Sequence, residues 1–135
     1  MNVLVDTSIW SLALRRAKRI NAQAPGELAE LIREGRVAMI GPVRQELLSG
    51  IKVKPQYERV RDHLRSFPDL ELEPPDYEEA AAAFNRCRER GIQGSNTDFL
   101  ICSVALRRSL SIYTTDKDFL RYAGVLELEL HEPRL

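Results

Sequence analysis

Cysteine is scarce in this chain, two residues in 135, and Cys87 and Cys102 form neither a CxxC pair nor a cluster with histidine. That argues against a disulfide-stapled fold and a zinc site of ordinary spacing, and it fits a reducing compartment. Histidine is equally scarce. His63 and His131 lack a metal-ligand partner at useful spacing and read as bystanders. No apolar run approaches the roughly 20 residues that a membrane-spanning helix needs. The N-terminus enters a strand-like run without a basic region or cleavage site. These absences lead us to expect a cytoplasmic protein with no membrane segment. No glycine-rich turn follows the first strand-like run, and GxxxxGK[ST] is missing, which argues against dinucleotide and P-loop sites. Repeats, low-complexity tracts and linkers are also missing, so a single domain over residues 1–135 is expected, with a core large enough to need no disulfides.

An excess of one charge is absent too. Twenty Lys and Arg balance twenty Asp and Glu, which argues against a generally sticky nucleic-acid binder. The balance conceals an asymmetry: residues 1–68 carry 12 basic and 7 acidic side chains, whereas residues 69–135 carry 8 and 13. Arg15, Arg16, Lys18 and Arg19 form the densest basic cluster. Its two readings are a solvated helix end favoured by the dipole and a guide for a phosphate backbone.

What is present is the composition of a globular protein, 44% apolar and 30% charged, patterned in alternation. Asn2–Val5 is a continuous apolar run, as in a parallel strand buried on both faces. Ile9, Ala13 and Ala17, with Trp10 and Leu14 beside them, make an apolar stripe at helical spacing. Glu27–Arg33 predicts a short second helix and Val37–Ile40 a second strand. Pro42 and Gly50 suit the start and end of the next helix. Lys54–Phe67 is amphipathic, Leu70–Leu72 has the character of a short strand, and Tyr77 to Cys87 marks a further helix. Asn96 or Thr97 can cap the helix that runs to Arg108. Ile112–Thr114 and Leu126–Leu130 predict two last strands, with Lys117–Tyr122 helical between them. Strands alternating with helices imply an α/β layered domain around a mostly parallel sheet.

Four acidic residues stand out against this pattern. Asp6 ends the first strand-like run, Glu46 lies in a helix, Asp98 opens an apolar helix and Asp116 ends the Ser111–Thr115 run. Strand ends and helix starts are where α/β folds place ligand sites. Asp6 and Asp116 also suit helix caps, and Glu46 suits a solvated surface. Asp98 is harder to explain structurally, because it heads the stripe of Ile101, Cys102 and Ala105, where an uncompensated carboxylate costs free energy. Gathered carboxylates repel one another unless a positive charge holds them, and a divalent metal is the simplest candidate. Magnesium and manganese take oxygen ligands, and such ions support phosphodiester hydrolysis without a histidine base. Thr7, Ser8 and Thr115 can supply supporting hydrogen bonds. Asp118 reads either as a peripheral ligand or as a solvated side chain.

At these residues the chain resembles a known family. Val3-Leu4-Val5-Asp6-Thr7-Ser8-Ile9-Trp10, Glu46-Leu47-Leu48-Ser49-Gly50, Asn96-Thr97-Asp98-Phe99-Leu100-Ile101 and Tyr113-Thr114-Thr115-Asp116-Lys117-Asp118-Phe119 are similar to the motifs of PIN-domain ribonucleases. The compact length resembles the VapC-type toxins of toxin–antitoxin pairs. Cys102-Ser103 departs from the small alanines common at that place and leaves the acids intact. The resemblance implies a three-layer α/β/α sandwich with a five-stranded parallel sheet. It also implies RNA cleavage dependent on Mg2+ or Mn2+, with Asp6, Glu46, Asp98 and Asp116 as the catalytic metal site. A homodimer and inhibition by a cognate VapB-type antitoxin follow from it as well.

Two other readings compete. A TOPRIM-like magnesium enzyme also uses the DxD of Asp116-Lys117-Asp118, but it places a glutamate after its first strand. A haloacid-dehalogenase-type phosphatase needs DxD at the first strand, where Ser8 stands. A DNA-directed nuclease would meet the same phosphates. The reading from another class is a non-catalytic binding module, its acids serving as caps and Trp10, Leu14 and the Tyr57–Phe67 stripe serving as an interaction face.

Overall fold

The computed structural model describes residues 1–16 and 26–134. Strand β1 (Val3–Val5) leads into α1 (Thr7–Arg16); α2 (Glu27–Arg33), β2 (Val37–Ala38), α3 (Gly41–Leu48) and α4 (Lys54–Leu64) follow. Next come α5 (Pro74–Glu89), α6 (Asn96–Arg108), β3 (Ser111–Tyr113) and α7 (Asp118–Ala123). The three strands are parallel in the order β2-β1-β3, with Leu4 opposite both Ala38 and Ile112. Val3, Leu4 and Val5 have no exposed surface, which is why the central strand is an unbroken apolar run and not an alternating one. Among the described residues, no helix is long and apolar enough to cross a membrane.

The chain runs from β1 to β2 on one side and then back across β1 to β3 on the other. This reversal leaves a crevice beyond the carboxyl ends of β1 and β3, where open α/β sheets bind ligands. Helices α1, α3 and α4 pack as one group, and α5 and α6 as another, with α6 against β3. They are the outer layers of the expected α/β sandwich. Every residue of α6 from Phe99 to Ala105 is buried, including both Cys102 and Ser103. Trp10 is completely buried and meets Phe67 edge-on at 5.0 Å between ring centres, so it belongs to the core and offers no interaction face.

The expected fifth and fourth strands are reduced to single bridges. Among the described residues, the sheet has three strands, flanked by isolated parallel bridges at Met39–Asp69 and Ile112–Leu130. Each edge has a local cause. Pro68 and Pro74 bracket the first edge segment and cannot donate to a ladder. The Arg44 side chain ties this segment to the end of α4, donating to Asp69 Oδ1 at 3.0 Å and to the Leu64 carbonyl at 3.0 Å. On the other edge Leu128 N donates to Leu126 O at 2.8 Å. This tight turn directs the amide back along its own chain. The Leu-Glu-Leu-Glu-Leu alternation therefore looks like a strand but pairs only at its end. Boundaries elsewhere shift by a few residues: α4 stops at Leu64, α5 begins at Pro74, and β2 ends at Ala38 with Ile40 capping α3.

His131 has a structural role that sequence reasoning missed. Its Nε2 lies 2.9 Å from Glu27 Oε2, and the Arg134 guanidinium takes both Glu27 oxygens, so the C-terminal segment is clamped onto α2. Chiefly through Arg134, these partners hold the Glu27 carboxyl down at about 2. A depressed carboxylate stabilises the fold above its unfolded value near 4.5 and loses that contribution as the pH falls towards 2. Glu27→Gln is expected to lower stability by about 1 kcal/mol at neutral pH, a modest figure because Arg134 is half exposed and screened by water. Urea melts of wild type and variant should converge as the pH approaches 2; a gap independent of pH would rule out an ionic origin.

Candidate metal centre

Three of the four acids lie within one another's electrostatic reach beyond the strand ends, the charges of Asp6 and Asp116 both acting on Asp98. Asp6 lies one residue beyond β1, where Asp6 N donates to Tyr113 O at 2.9 Å and continues the β1–β3 pairing by one step. Its side chain is nearly buried, 4% exposed, and such a carboxylate needs donors. Ser8 Oγ and Thr114 Oγ1 supply them, both donating to Asp6 Oδ2, at 2.8 and 2.7 Å. In turn Ser8 Oγ accepts from Thr115 N at 3.1 Å and Thr114 Oγ1 from Asp116 N at 2.9 Å. Each hydroxyl has one proton and directs it at Asp6, so the 3.2 Å approach between them carries no further bond. This relay ties the end of β1 to the end of β3. It fixes where Asp6 and Asp116 stand relative to each other.

Asp98 comes from a different layer, in the first turn of α6. The cap of that helix is Ser95, one residue before the expected Asn96 or Thr97, with its Oγ accepting from Asp98 N at 3.1 Å. Asp98 Oδ2 accepts from the Tyr122 hydroxyl at 2.7 Å. Burial pushes the Asp98 carboxyl above its usual value, and the charges of Asp6 and Asp116 push it the same way, against the hydrogen bonds of Tyr122 and Ser95. Asp98 therefore stands in the field of the other two acids. Burial and the charges of Asp98 and Asp6 likewise raise the thiol of Cys102, one helical turn beyond Asp98, and keep it protonated. Burial and Asp98 raise the Tyr122 phenol, which remains a donor at neutral pH.

The other expected site residues are placed differently. Glu46 is exposed on α3 and makes no hydrogen bond or ion pair among the described residues. The described residues contain no cluster of three His, Cys, Asp or Glu side chains close enough to grip an ion together. Asp118 donates its backbone N to Asp116 Oδ1 at 2.9 Å, and its own carboxylate pairs with Arg121 at 2.5 Å. Thr115 is exposed and contributes its amide; the hydroxyl that reaches Asp6 belongs to Thr114, which the sequence reading passed over. The Thr7 hydroxyl is buried without a partner among the described residues. Lys18 and Arg19 lie outside the described residues, and Arg15 and Arg16 are the last two residues of α1. Thr114 and Tyr122 could have been suspected only as hydroxyl-bearing residues near an acid, a weak signal.

The donor set suits a hard divalent cation. Among the described residues, one oxygen of each acid accepts hydrogen bonds, Oδ2 of Asp6 and Asp98 and Oδ1 of Asp116, and the second oxygen accepts none. Three half-satisfied carboxylates in one another's field, without a cation among their partners, fit magnesium or manganese. An all-carboxylate oxygen donor set suits such a hard cation better than zinc, whose sites draw on imidazole and thiolate.

A parallel α/β sandwich with acids collected at the switch point of its strands defines a class of domain. Within that class, the PIN domain model matches residues 3–125, and the chain belongs to the PIN-domain family. Ribonuclease VapC11 of Mycobacterium tuberculosis is 29% identical over 131 residues, covering 94% of this chain and 96% of that protein. The fold is also that of DNA-bound VapBC from Salmonella typhimurium, with a TM-score of 0.77 at 14% identity over 97% of each chain. VapBC2 from Rickettsia felis, bound to a promoter DNA fragment, gives 0.76 at 17% identity over 97% of this chain and 98% of that one.

Proposed function

We propose that this protein is a metal-dependent endoribonuclease, the toxin of a toxin–antitoxin pair, using Mg2+ or Mn2+. The observation that supports the reading is that Asp98 stands in the field of Asp6 and Asp116, each of the three with one oxygen free of protein donors among the described residues. Asp6, Asp98 and Asp116 would hold the cation, with Glu46, exposed on α3, assigned as the fourth acid from the resemblance of its motif. A cation bound there supplies charge stabilisation to the phosphate and acidifies an attacking water. Ser8 and Thr114 keep Asp6 in one orientation, so its free oxygen is fixed before a cation arrives. The amides of Thr115 and Asp116 hold those hydroxyls in turn.

RNA as the substrate is supported by the relatives named as ribonucleases. Arg15, Arg16, Lys18 and Arg19 are assigned to the RNA backbone, since phosphate contacts are where lysine and arginine contribute affinity. A VapB-type antitoxin partner, a homodimer and a cytoplasmic location complete the reading, the first supported by the VapBC complexes that share the fold. The test is cleavage of a mixed RNA pool by purified protein. Activity abolished by EDTA and restored by Mg2+ or Mn2+ is expected, and cleavage undiminished by chelation would reject the metal.

A further inference from the structure

We infer that Tyr122 is a positioning residue of the metal centre: its hydroxyl holds Asp98 in a single rotamer and leaves one carboxylate oxygen for the cation. This rests on the metal reading above and adds a residue outside the acidic set. Tyr122 has no exposed surface, so its hydroxyl must find an acceptor inside the protein. Among the described residues that acceptor is Asp98 Oδ2, at 2.7 Å, the short distance of a charge-assisted bond. The ring has little freedom to follow any other partner. Phe99 packs against it at 4.9 Å and Phe119 at 5.1 Å between ring centres.

Gly94 completes the slot. A Cβ at this position would overlap the Tyr122 hydroxyl and stand 2.7 Å from its Cζ, while Gly94 itself has no left-handed backbone to accommodate. Glycine is therefore required here for space and not for conformation. Two constraints on Asp98 follow from different parts of the chain. Ser95 fixes its backbone from the helix cap, and Tyr122 fixes its carboxylate from α7. The same α7 follows directly from Asp116, whose Oδ1 accepts from Asp118 N. A single short helix thus sets Asp98 and Asp116 relative to each other, as the Ser8–Thr114 relay does for Asp6 and Asp116.

The experiment is calorimetric titration of Mn2+ into wild type, Tyr122→Phe, Gly94→Ala, Asp98→Asn and the Tyr122→Phe/Asp98→Asn double variant, with circular dichroism melts of each. Tyr122→Phe keeps the ring and its packing, and it is expected to weaken Mn2+ binding by about 10-fold or more while the protein stays folded, the usual effect of losing an outer hydrogen-bond partner. Gly94→Ala, which displaces the hydroxyl without deleting it, should weaken binding in the same direction. In the Asp98→Asn background the loss of the hydroxyl should change nothing further. Wild-type affinity in folded Tyr122→Phe, with binding lost in Asp98→Asn, would overturn the positioning role and leave the metal reading standing. No Mn2+ binding by wild type would overturn both.

Discussion

Asp98→Asn is expected to reduce RNA cleavage to below about one hundredth of wild type without unfolding the protein. Loss of even an outer partner of a metal ligand costs about 10–100-fold, and this substitution removes a charged oxygen donor itself. The fold should tolerate it for three reasons. Asparagine has the same shape, its side-chain oxygen still accepts the Tyr122 hydroxyl, and the Ser95 cap bonds only the backbone of residue 98. Removing the charge should even help the metal-free protein, because burial and the fields of Asp6 and Asp116 all oppose ionisation at this position. Melts in EDTA are therefore expected to place the variant at or above the wild-type temperature. If the acids were mere caps, the substitution would leave cleavage unchanged, and that outcome would sink the assignment.

The second large effect concerns stability and lies far from the chemistry. Asp76→Ala should destabilise the protein by about 3 kcal/mol, the lower end of what breaking a buried ion pair costs. For a chain of this size that corresponds to roughly 10 °C. Asp76 has no exposed surface and sits in the first turn of α5. Its carboxylate accepts from Arg107 at 2.5 Å, from Arg108 at 2.7 and 3.0 Å, and from Glu73 N at 2.8 Å. The pairing is also favourable for the helix dipoles, an anion at the start of α5 and two cations at the end of α6. The lower end applies because both arginines remain partly exposed and can be hydrated once the acid is gone. Arg108 more than any other partner holds the Asp76 carboxyl well below the usual carboxylate range. Its contribution should therefore be complete above pH 4 or so and fade only as the acid is protonated in the fold at much lower pH. Chemical melts of wild type and Asp76→Ala across neutral and acidic pH would check this. An equal gap at every pH would refute the ionic account.

Much of the site is legible in the residues themselves. An apolar run that stops at an acid marks Asp6 as a strand-end residue, because a buried parallel strand admits no charge until it leaves the sheet; Asp116 follows the strand-like run Ser111–Thr115, of which β3 takes up only Ser111–Tyr113. Asp98 is legible for the complementary reason that it heads a helix whose next seven residues are all buried. The failures are equally physical. In Thr114-Thr115 the two hydroxyls are chemically alike, and only the direction of the chain at the end of β3 turns the first towards Asp6 and the second towards water. Leu126–Leu130 alternates like a strand, yet its amide at Leu128 bonds back to Leu126. Asp76 gave no sign of its two arginines, which lie some thirty residues further along the chain.

The residues alone were enough to read the α/β class and the order of helices and strands apart from the two outermost, and to nominate four acids as candidates. Those features depend on periodicity and on neighbours within a few residues, where backbone geometry fixes which side chains share a face. It took the packed fold to place Thr114 and Ser8 together on Asp6, to set the Tyr122 hydroxyl against Asp98 in a slot left open by Gly94, and to leave Glu46 exposed on α3. Hydrogen bonds reach only about 3 Å, so a partner is selected by how elements from distant parts of the chain pack.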